Sequence, residues 1–398
     1  MNLSESFFDF IQSHRDDECS RLRLKSFKNA DFDTKFAIDQ IEARRKTKNK
    51  LPLINSHIGF LYPSLIAAEQ STSEDVAVFK RNLFAGRYSS VCDLTGGLGI
   101  DTVFISDVVR NVTYIERYGE YCNIAEHNFA VLGKRNINVI NADCRDFIAA
   151  NDSRFDAFYI DPARRGVSNS RLFSFADCEP DILSLLPSLL LHSPEVWIKA
   201  SPMIDISLAI SDLKNVQEVY AISVRNECKE LLFHIVDGVS SEPVIHCVDL
   251  KDGKSVVFDF SISEEKGIAD IEYADSPLSY LYEPDASILK GGAFKSVAKR
   301  YGLHKLHVNS HLYTNDTLIA DFPGRKFVIK ETLPFKNSVM KSFSATCPAA
   351  NVSARNFPLS ADSLRKRLKI KDGGDVYLFA TKCNDDVNVL IVCSKVTA

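Results

Sequence analysis

The feature that most limits the fold is an alternation. Short apolar runs at residues 91–94, 112–115, 139–140, 155–160 and 196–198 recur along the chain, mostly separated by segments of helical length. Strands and helices that alternate in this way bury both faces of a sheet by winding it parallel, with helices on either side. Between the second and third runs, Tyr121, Ile124, Ala125, Phe129 and Leu132 form one apolar stripe that predicts a helix packed on that sheet. After the fifth run, residues 216–224 and 231–236 read as strands with only Arg225 to Glu230 between them, too few for a crossover helix. They are expected to pair antiparallel as a terminal hairpin. A second hairpin is expected where residues 244–250 and 255–262 flank Lys251-Asp252-Gly253-Lys254.

Residues 1–68 read as a helical cap or arm, with Phe32, Phe36 and Ile41 at near-helical intervals and Pro52 and Pro63 as punctuation. Ser71 and Glu74 have capping-box spacing ahead of Val76, Phe79 and Leu83, which predicts a helix from about Thr72 to Gly86. The expected organisation is therefore α/β. A helical region (1–68) precedes a Rossmann-like sheet domain with its terminal hairpin (69–240). A hairpin with a small α+β segment (241–325) and a C-terminal α+β domain (326–398) follow.

The first strand ends in Asp93-Leu94-Thr95-Gly96-Gly97-Leu98-Gly99-Ile100-Asp101, where a helix begins. Glycines at such a turn let the backbone approach a ligand and aim amide groups at it. Glu116 closes the second strand, where a carboxylate can take both hydroxyls of a ribose, and Asp143 follows the third, where an adenine amino group is expected. A tight turn with two surface acids would use the same residues. A dinucleotide fingerprint requires a glycine at position 102, which is Thr. The acid at Asp93 suits a ligand with positive charge better than a pyrophosphate, so electrostatics favours S-adenosylmethionine.

Asp161 follows the fourth strand, at the sheet edge where ligands of such folds sit. There it either accepts a hydrogen bond from an amino group and orients its lone pair, or caps the following turn, while Pro162 stiffens that turn. Lys199, ending the fifth strand, either contacts the substrate or solvates the strand end.

The loop 93–99, Glu116, Asp143 and Asp161-Pro162-Ala163-Arg164, in this order with the closing hairpin, resemble motifs I to IV of class I S-adenosylmethionine-dependent methyltransferases over about residues 69–240. Thr95 stands where the commoner motif has its first glycine, as in some bacterial ribosomal RNA guanine methyltransferases. The resemblance implies a cofactor set of Gln70, Ser71, Asp93, Thr95, Gly96, Gly97, Gly99, Asp101, Glu116 and Asp143. It implies catalysis by Asp161, Pro162 and Arg164, with Arg165 and Lys199 toward the substrate. Families that methylate exocyclic amines carry an aromatic residue where Arg164 stands, so Arg164 either stacks through its guanidinium plane or holds a phosphate. The Asp-Pro-x-Arg-x-Gly string is also similar to RNA uracil C5-methyltransferases, but position 201, where a nucleophilic cysteine would follow the fifth strand, is Ser. Residues 352–380, with Ser353 to Ser360, Leu364 to Lys369 and Gly373-Gly374-Asp375, are similar to a THUMP-like C-terminal domain of a group of bacterial RNA methyltransferases. In that group a ferredoxin-like segment precedes it, matching residues 280–316.

Charge is partitioned along the chain. Residues 51–284 hold 19 Lys+Arg against 34 Asp+Glu, and residues 285–398 hold 18 against 9, which suits a part that handles a small cofactor and a part that touches a polyanion. Basic residues cluster as Arg44, Arg45, Lys46, Lys48 and Lys50 and again as Arg365, Lys366, Arg367, Lys369 and Lys371, which suits phosphate contacts and makes Arg365, Lys366 and Arg367 expected substrate-binding residues. The expected activity is methyl transfer to RNA, at a base nitrogen of transfer or ribosomal RNA. The rivals are a protein or small-molecule methyltransferase and a non-catalytic RNA-binding protein that retains the cofactor fold. The ten scattered cysteines read as reduced thiols, and with no signal peptide or membrane span the expected location is the cytoplasm. No metal is expected, because the spacing of His304, His307 and His311 matches no common ligand pattern.

Overall fold

Six short helices are described ahead of the first strand: α1 (Glu5–Ser13), α2 (Cys19–Leu24), α3 (Thr34–Thr47), α4 (Pro52–Ser56), α5 (Leu65–Gln70) and α6 (Glu74–Phe84). The structure, a computed structural model, describes residues 3–27, 30–150, 152–164 and 174–396. Asp33 caps α3 by accepting the Phe36 N–H, and Ser64 caps α5 by accepting that of Ala67. At α6 the capping box does not form. Glu74 Oε1 instead accepts the Ile54 N–H at 2.9 Å, and the Ser71 hydroxyl donates to Ala68 O. The buried face of α6 is Val76, Ala77, Lys80 and Phe84, so the expected stripe is rotated and a lysine lies inside.

These helices share a core with the sheet that follows. Ala43, Leu51, Ile54, Phe60 and Tyr62 form one cluster with Leu98, Val103, Phe104, Tyr114 and Phe129. The connecting chain near residue 60 has its backbone satisfied by side chains: the Gln40 amide exchanges two bonds with Tyr62, and the Asn128 amide exchanges two with Leu61. Arg44 donates to the carbonyls of Asn55, His57, Ile58 and Phe60.

The alternating region folds as β1 (Ser90–Asp93), α7 (Ile100–Ile105), β2 (Asn111–Glu116), α8 (Gly119–Val131), β3 (Ile137–Asn141), α9 (Cys144–Ala150) and β4 (Ala157–Ile160). A two-residue pair, β5 (Ala163–Arg164) and β6 (Cys178–Glu179), precedes α10 (Ile182–His192), β7 (Glu195–Ala200), α11 (Ile206–Leu213), β8 (Val216–Val224) and β9 (Glu227–Val236). The chain divides into two compact units, residues 1–217 with 230–241 and residues 218–229 with 242–398. In the first, the strand order is β9-β7-β4-β1-β2-β3. Strands β7, β4, β1, β2 and β3 are parallel and β9 runs antiparallel to β7, so the doubly wound reading holds. Between β8 and β9 the chain turns at Arg225 and Asn226, both at positive φ (52° and 62°), as a two-residue hairpin turn requires.

In the second unit β8 pairs parallel with β10 (Val244–Lys251), and β10 pairs antiparallel with β11 (Lys254–Phe260). A further sheet joins seven described strands, with Gly324–Pro334 between Tyr280–Pro284 on one side and Asn388–Lys395 on the other. Its helices Asn337–Thr346 and Ala361–Leu368 bury Met340, Phe343, Leu364 and Leu368 against Leu378 and Leu390. All ten cysteines are free thiols. Among the described residues, no helix is long and apolar enough to cross a membrane.

Candidate active site

The turn after β1 is shaped by close packing at its back. A Cβ on Gly96 would lie 2.0 Å from the Tyr114 ring of β2. Gly97 and Gly99 take positive φ of 56° and 78°, and Gly99 begins α7. The Tyr114 hydroxyl donates to Gly97 O at 2.6 Å, and Gly96 N–H donates to Ile115 O at 2.9 Å, so the loop is locked onto β2.

Glu116, at the end of β2, is buried and faces this loop. Its Oε2 accepts the Gly97 N–H at 3.1 Å and its Oε1 accepts the Tyr118 N–H at 2.8 Å. A carboxylate has about four acceptor positions, so the two oxygens retain capacity for a diol. Asp93 accepts from Thr95 N–H at 3.1 Å and from the Thr102 hydroxyl at 2.5 Å. Burial pushes its carboxyl up to about 7 against these two donors, and the charges of Asp101 and Asp161 add to the rise.

Asp161 begins the segment after β4. Its N–H donates to Thr95 Oγ1 at 2.6 Å, which ties it to the glycine loop, and its Oδ2 accepts from Lys199 Nζ at 2.6 Å. Lys199, on β7, thus grips Asp161, and its Nζ also donates to Thr72 Oγ1 at 3.2 Å. Burial works against the Lys199 charge, yet the carboxylates of Asp161, Glu230 and Asp101 together push its pKa well above the ordinary lysine value.

Beneath this pair lies a buried charge network that sequence reading missed. Lys80 Nζ, fully buried on α6, stands 2.8 Å from Asp101 Oδ1 and 2.8 Å from Glu230 Oε1. Asp101 Oδ2 also accepts from the Tyr159 hydroxyl at 2.9 Å and the Thr72 hydroxyl at 2.8 Å. Burial opposes ionisation of Asp101, but Lys80 and Lys199 overcome it and hold the carboxyl below its ordinary value. The carboxyl of Glu230 moves the other way, raised by burial. The one sequence signal was Lys80 itself, on the same helical line as Val76 and Phe84.

The other expected site residues fall into groups. Thr95, Gly96, Gly97, Gly99, Asp93, Glu116 and Asp161 converge on the loop, whereas Asp101 sits beneath it. Gln70 is exposed at the end of α5. Asp143, at the start of α9, is engaged by Arg145, whose Nε and Nη2 donate to its two oxygens at 2.9 and 2.8 Å. Pro162 leads into β5, while the side chain of Arg164 and all of Arg165 lie outside the described residues. Arg365, Lys366 and Arg367 share the helix Ala361–Leu368 of the second unit. Arg365 pairs with Asp362 and Asp372, Arg367 donates to Asn337, and Lys366 is exposed. In the basic cluster at 44–50, Arg44 is spent on carbonyls, Arg45 donates to Arg15 O, Lys46 pairs with Glu42 and Glu69, and Lys50 donates to Glu69 O. Lys48 is exposed.

Among the described residues, five carboxyl groups, Asp93, Asp101, Glu116, Asp161 and Glu230, thus face or underlie the loop against the two ammonium groups of Lys80 and Lys199. Such an excess fits a cationic ligand and disfavours a pyrophosphate.

The chain is similar to proteins whose names bear on this site. Residues 280–323 match a ferredoxin-like domain family and residues 324–395 a THUMP domain-like family. The crystal structure of a Porphyromonas gingivalis W83 protein, named as a candidate methyltransferase, is 35% identical with a TM-score of 0.88 and covers 100% of both chains. An uncharacterized S-adenosylmethionine-dependent methyltransferase of Mycobacterium tuberculosis (strain ATCC 25618 / H37Rv) is 24% identical over 345 residues, 85% of this chain and 90% of its own. An uncharacterized RNA methyltransferase of Mycoplasma mobile is 29% identical over 106 residues, 27% of this chain and 26% of its own.

Proposed function

Because the chain belongs to the S-adenosylmethionine-dependent methyltransferases that carry a THUMP-like C-terminal domain, we propose that it methylates RNA, at a base nitrogen of transfer or ribosomal RNA. The carrying observation is the Asp161–Lys199 pair at 2.6 Å, on the strand edge beside the glycine loop. RNA as the acceptor is supported by the THUMP-like match, by the excess of Lys+Arg over Asp+Glu (18 against 9) in residues 285–398, and by the partial similarity to an RNA methyltransferase.

Glu116 holds the ribose diol of the cofactor, and Asp93 supplies the negative charge its cationic end needs. When bound, the cofactor supplies a methyl group on a sulfonium, already activated for attack by a nitrogen lone pair. The protein's own work is orientation and exclusion of water. Asp161 offers Oδ1 to an N–H of the acceptor base and so aims the nitrogen lone pair along the line of transfer. Lys199 fixes Oδ2 and keeps the carboxylate from turning away. The side chain of Asp161 is 42% exposed, so the proton that the methylated nitrogen sheds has a short route to water.

The test is methyl transfer from labelled S-adenosylmethionine to total RNA and, separately, to total protein. Label in RNA that falls about 100-fold with Asp161→Asn, while cofactor affinity stays within about threefold, is the expected result. Label in protein alone would overturn the acceptor, and full turnover by Asp161→Asn would remove that residue from the mechanism.

A further inference from the structure

We propose that Thr95 is a positioning residue for methyl transfer: its hydroxyl fixes the main chain of Asp161 against the glycine loop and so sets where the acceptor nitrogen meets the cofactor. The proposal rests on the reading of Asp161 given above. Where the commoner motif has a glycine with no side-chain acceptor to offer, Thr95 Oγ1 accepts the Asp161 N–H at 2.6 Å. The loop that carries this hydroxyl is itself held by two strands. Thr95 N–H donates to Asp93 Oδ1 at 3.1 Å, at the end of β1, and the N–H of the next residue, Gly96, donates to Ile115 O of β2 at 2.9 Å. One hydroxyl thus joins the end of β4 to a turn already anchored on β1 and β2.

Asp161 is held at two points that do different things. Lys199 bonds Oδ2 at 2.6 Å and sets the rotation of the carboxylate, whereas Thr95 bonds the main chain and sets where the residue stands. The second hold matters because Asp161 lies beyond the last registered pairs of β4, Tyr159 with Asp93 and Ile160 with Ile198, where strand pairing no longer fixes the chain. Without the hydroxyl the Asp161 N–H turns to water and the residue is free to move with Lys199. A displacement of about 1 Å at a reacting group can cost about 100-fold in rate.

The experiment compares Thr95→Ala with Thr95→Ser in the full-length protein. Both variants lack the γ-methyl and they differ in the hydroxyl alone, so the difference between them reads the bond. In Thr95→Ala the kcat for RNA methylation should fall about tenfold, and in Thr95→Ser it should stay within about threefold of native. Calorimetry should find S-adenosylmethionine affinity within about threefold of native in both. Crystal structures should show Asp161 moved by about 0.5 Å or more in Thr95→Ala, and its N–H still bonded to the hydroxyl in Thr95→Ser. Should Thr95→Ala not fold, Thr95→Gly replaces it. A merely structural threonine would lower the melting temperature without splitting kcat from cofactor affinity. Equal kcat in the two variants, or an unmoved Asp161 in Thr95→Ala, overturns the proposal. So does a loss confined to S-adenosylmethionine affinity, which would give the hydroxyl to the cofactor. Full turnover by Asp161→Asn fails the reading of Asp161, whereas loss in Asp161→Asn with none in Thr95→Ala fails this proposal alone.

Discussion

Gly96 is the loop position where no side chain fits, because the Tyr114 ring occupies the space a Cβ needs, 2.0 Å away. Gly96→Ala must push the loop off β2, with a stability loss of about 1–3 kcal/mol in thermal melting. Affinity for S-adenosylmethionine should fall more than tenfold, and calorimetry showing native affinity would exclude the loop from binding. Asp93 makes a pH prediction. Burial raises its carboxyl to about 7, so at lower pH the free protein holds it protonated, and a cation that requires the carboxylate binds weakly there. Affinity for S-adenosylmethionine should thus rise with pH up to about 7 and then level off. S-adenosylhomocysteine, which keeps the ammonium but lacks the sulfonium charge, should show a shallower rise, and equal slopes for the two ligands would separate Asp93 from the sulfonium. The glycines and the acids at strand ends were legible because their chain positions follow from strand-loop-helix order alone. The engagement of Asp143 by Arg145 was not, because an arginine two residues away can equally face solvent.

Strand β7 carries chemistry at both ends. At its start, Glu195 Oε2 accepts from Arg87 at 3.3 Å, lies 2.7 Å from His234 Nε2, and bonds the Tyr88 hydroxyl. The Trp197 indole donates to the same hydroxyl at 2.9 Å and stacks on His234 at 4.0 Å. Burial works to raise the Glu195 carboxyl, but its donors prevail and hold it below the ordinary value of 4.5. A depressed folded pKa stabilises the fold above the unfolded value, and that stabilisation disappears as pH falls through the folded value. Glu195→Gln is therefore expected to cost about 1–3 kcal/mol at pH 7, seen as a lower melting temperature. The gap between variant and native protein should close below pH 4.5, and a constant gap would refute the ionic role. At the far end of the strand, the partner of Lys199 was beyond sequence reading. The same limit hid Lys80, since a lysine on a helix reads as solvated until the two carboxylates beside it are known.

The C-terminal half of the molecule decides how RNA binding can be tested. Strand Gly324–Pro334 pairs with Tyr280–Pro284 as well as with Asn388–Lys395, so the two matched segments meet inside one sheet. Deleting residues 326–398 would tear that sheet and confound folding with affinity. Charge reversal of the exposed Lys366, Lys369 and Lys371 avoids this. If they contact phosphates, RNA affinity should fall at least tenfold at about 0.1 M salt, and the slope of log K against log salt should flatten by about 2. An unchanged slope would place the RNA elsewhere. The order of strands and helices, the terminal hairpin and the glycine turn were determined by the sequence by itself, because periodicity, turn residues and chain connectivity are local properties. Which charges would be consumed was decided only by tertiary structure: Arg44 by backbone carbonyls, Lys80 by Asp101 and Glu230, Lys199 by Asp161. A charged side chain reaches several ångströms in any direction, and its energy depends on burial and on partners far away in sequence, neither of which a local pattern contains.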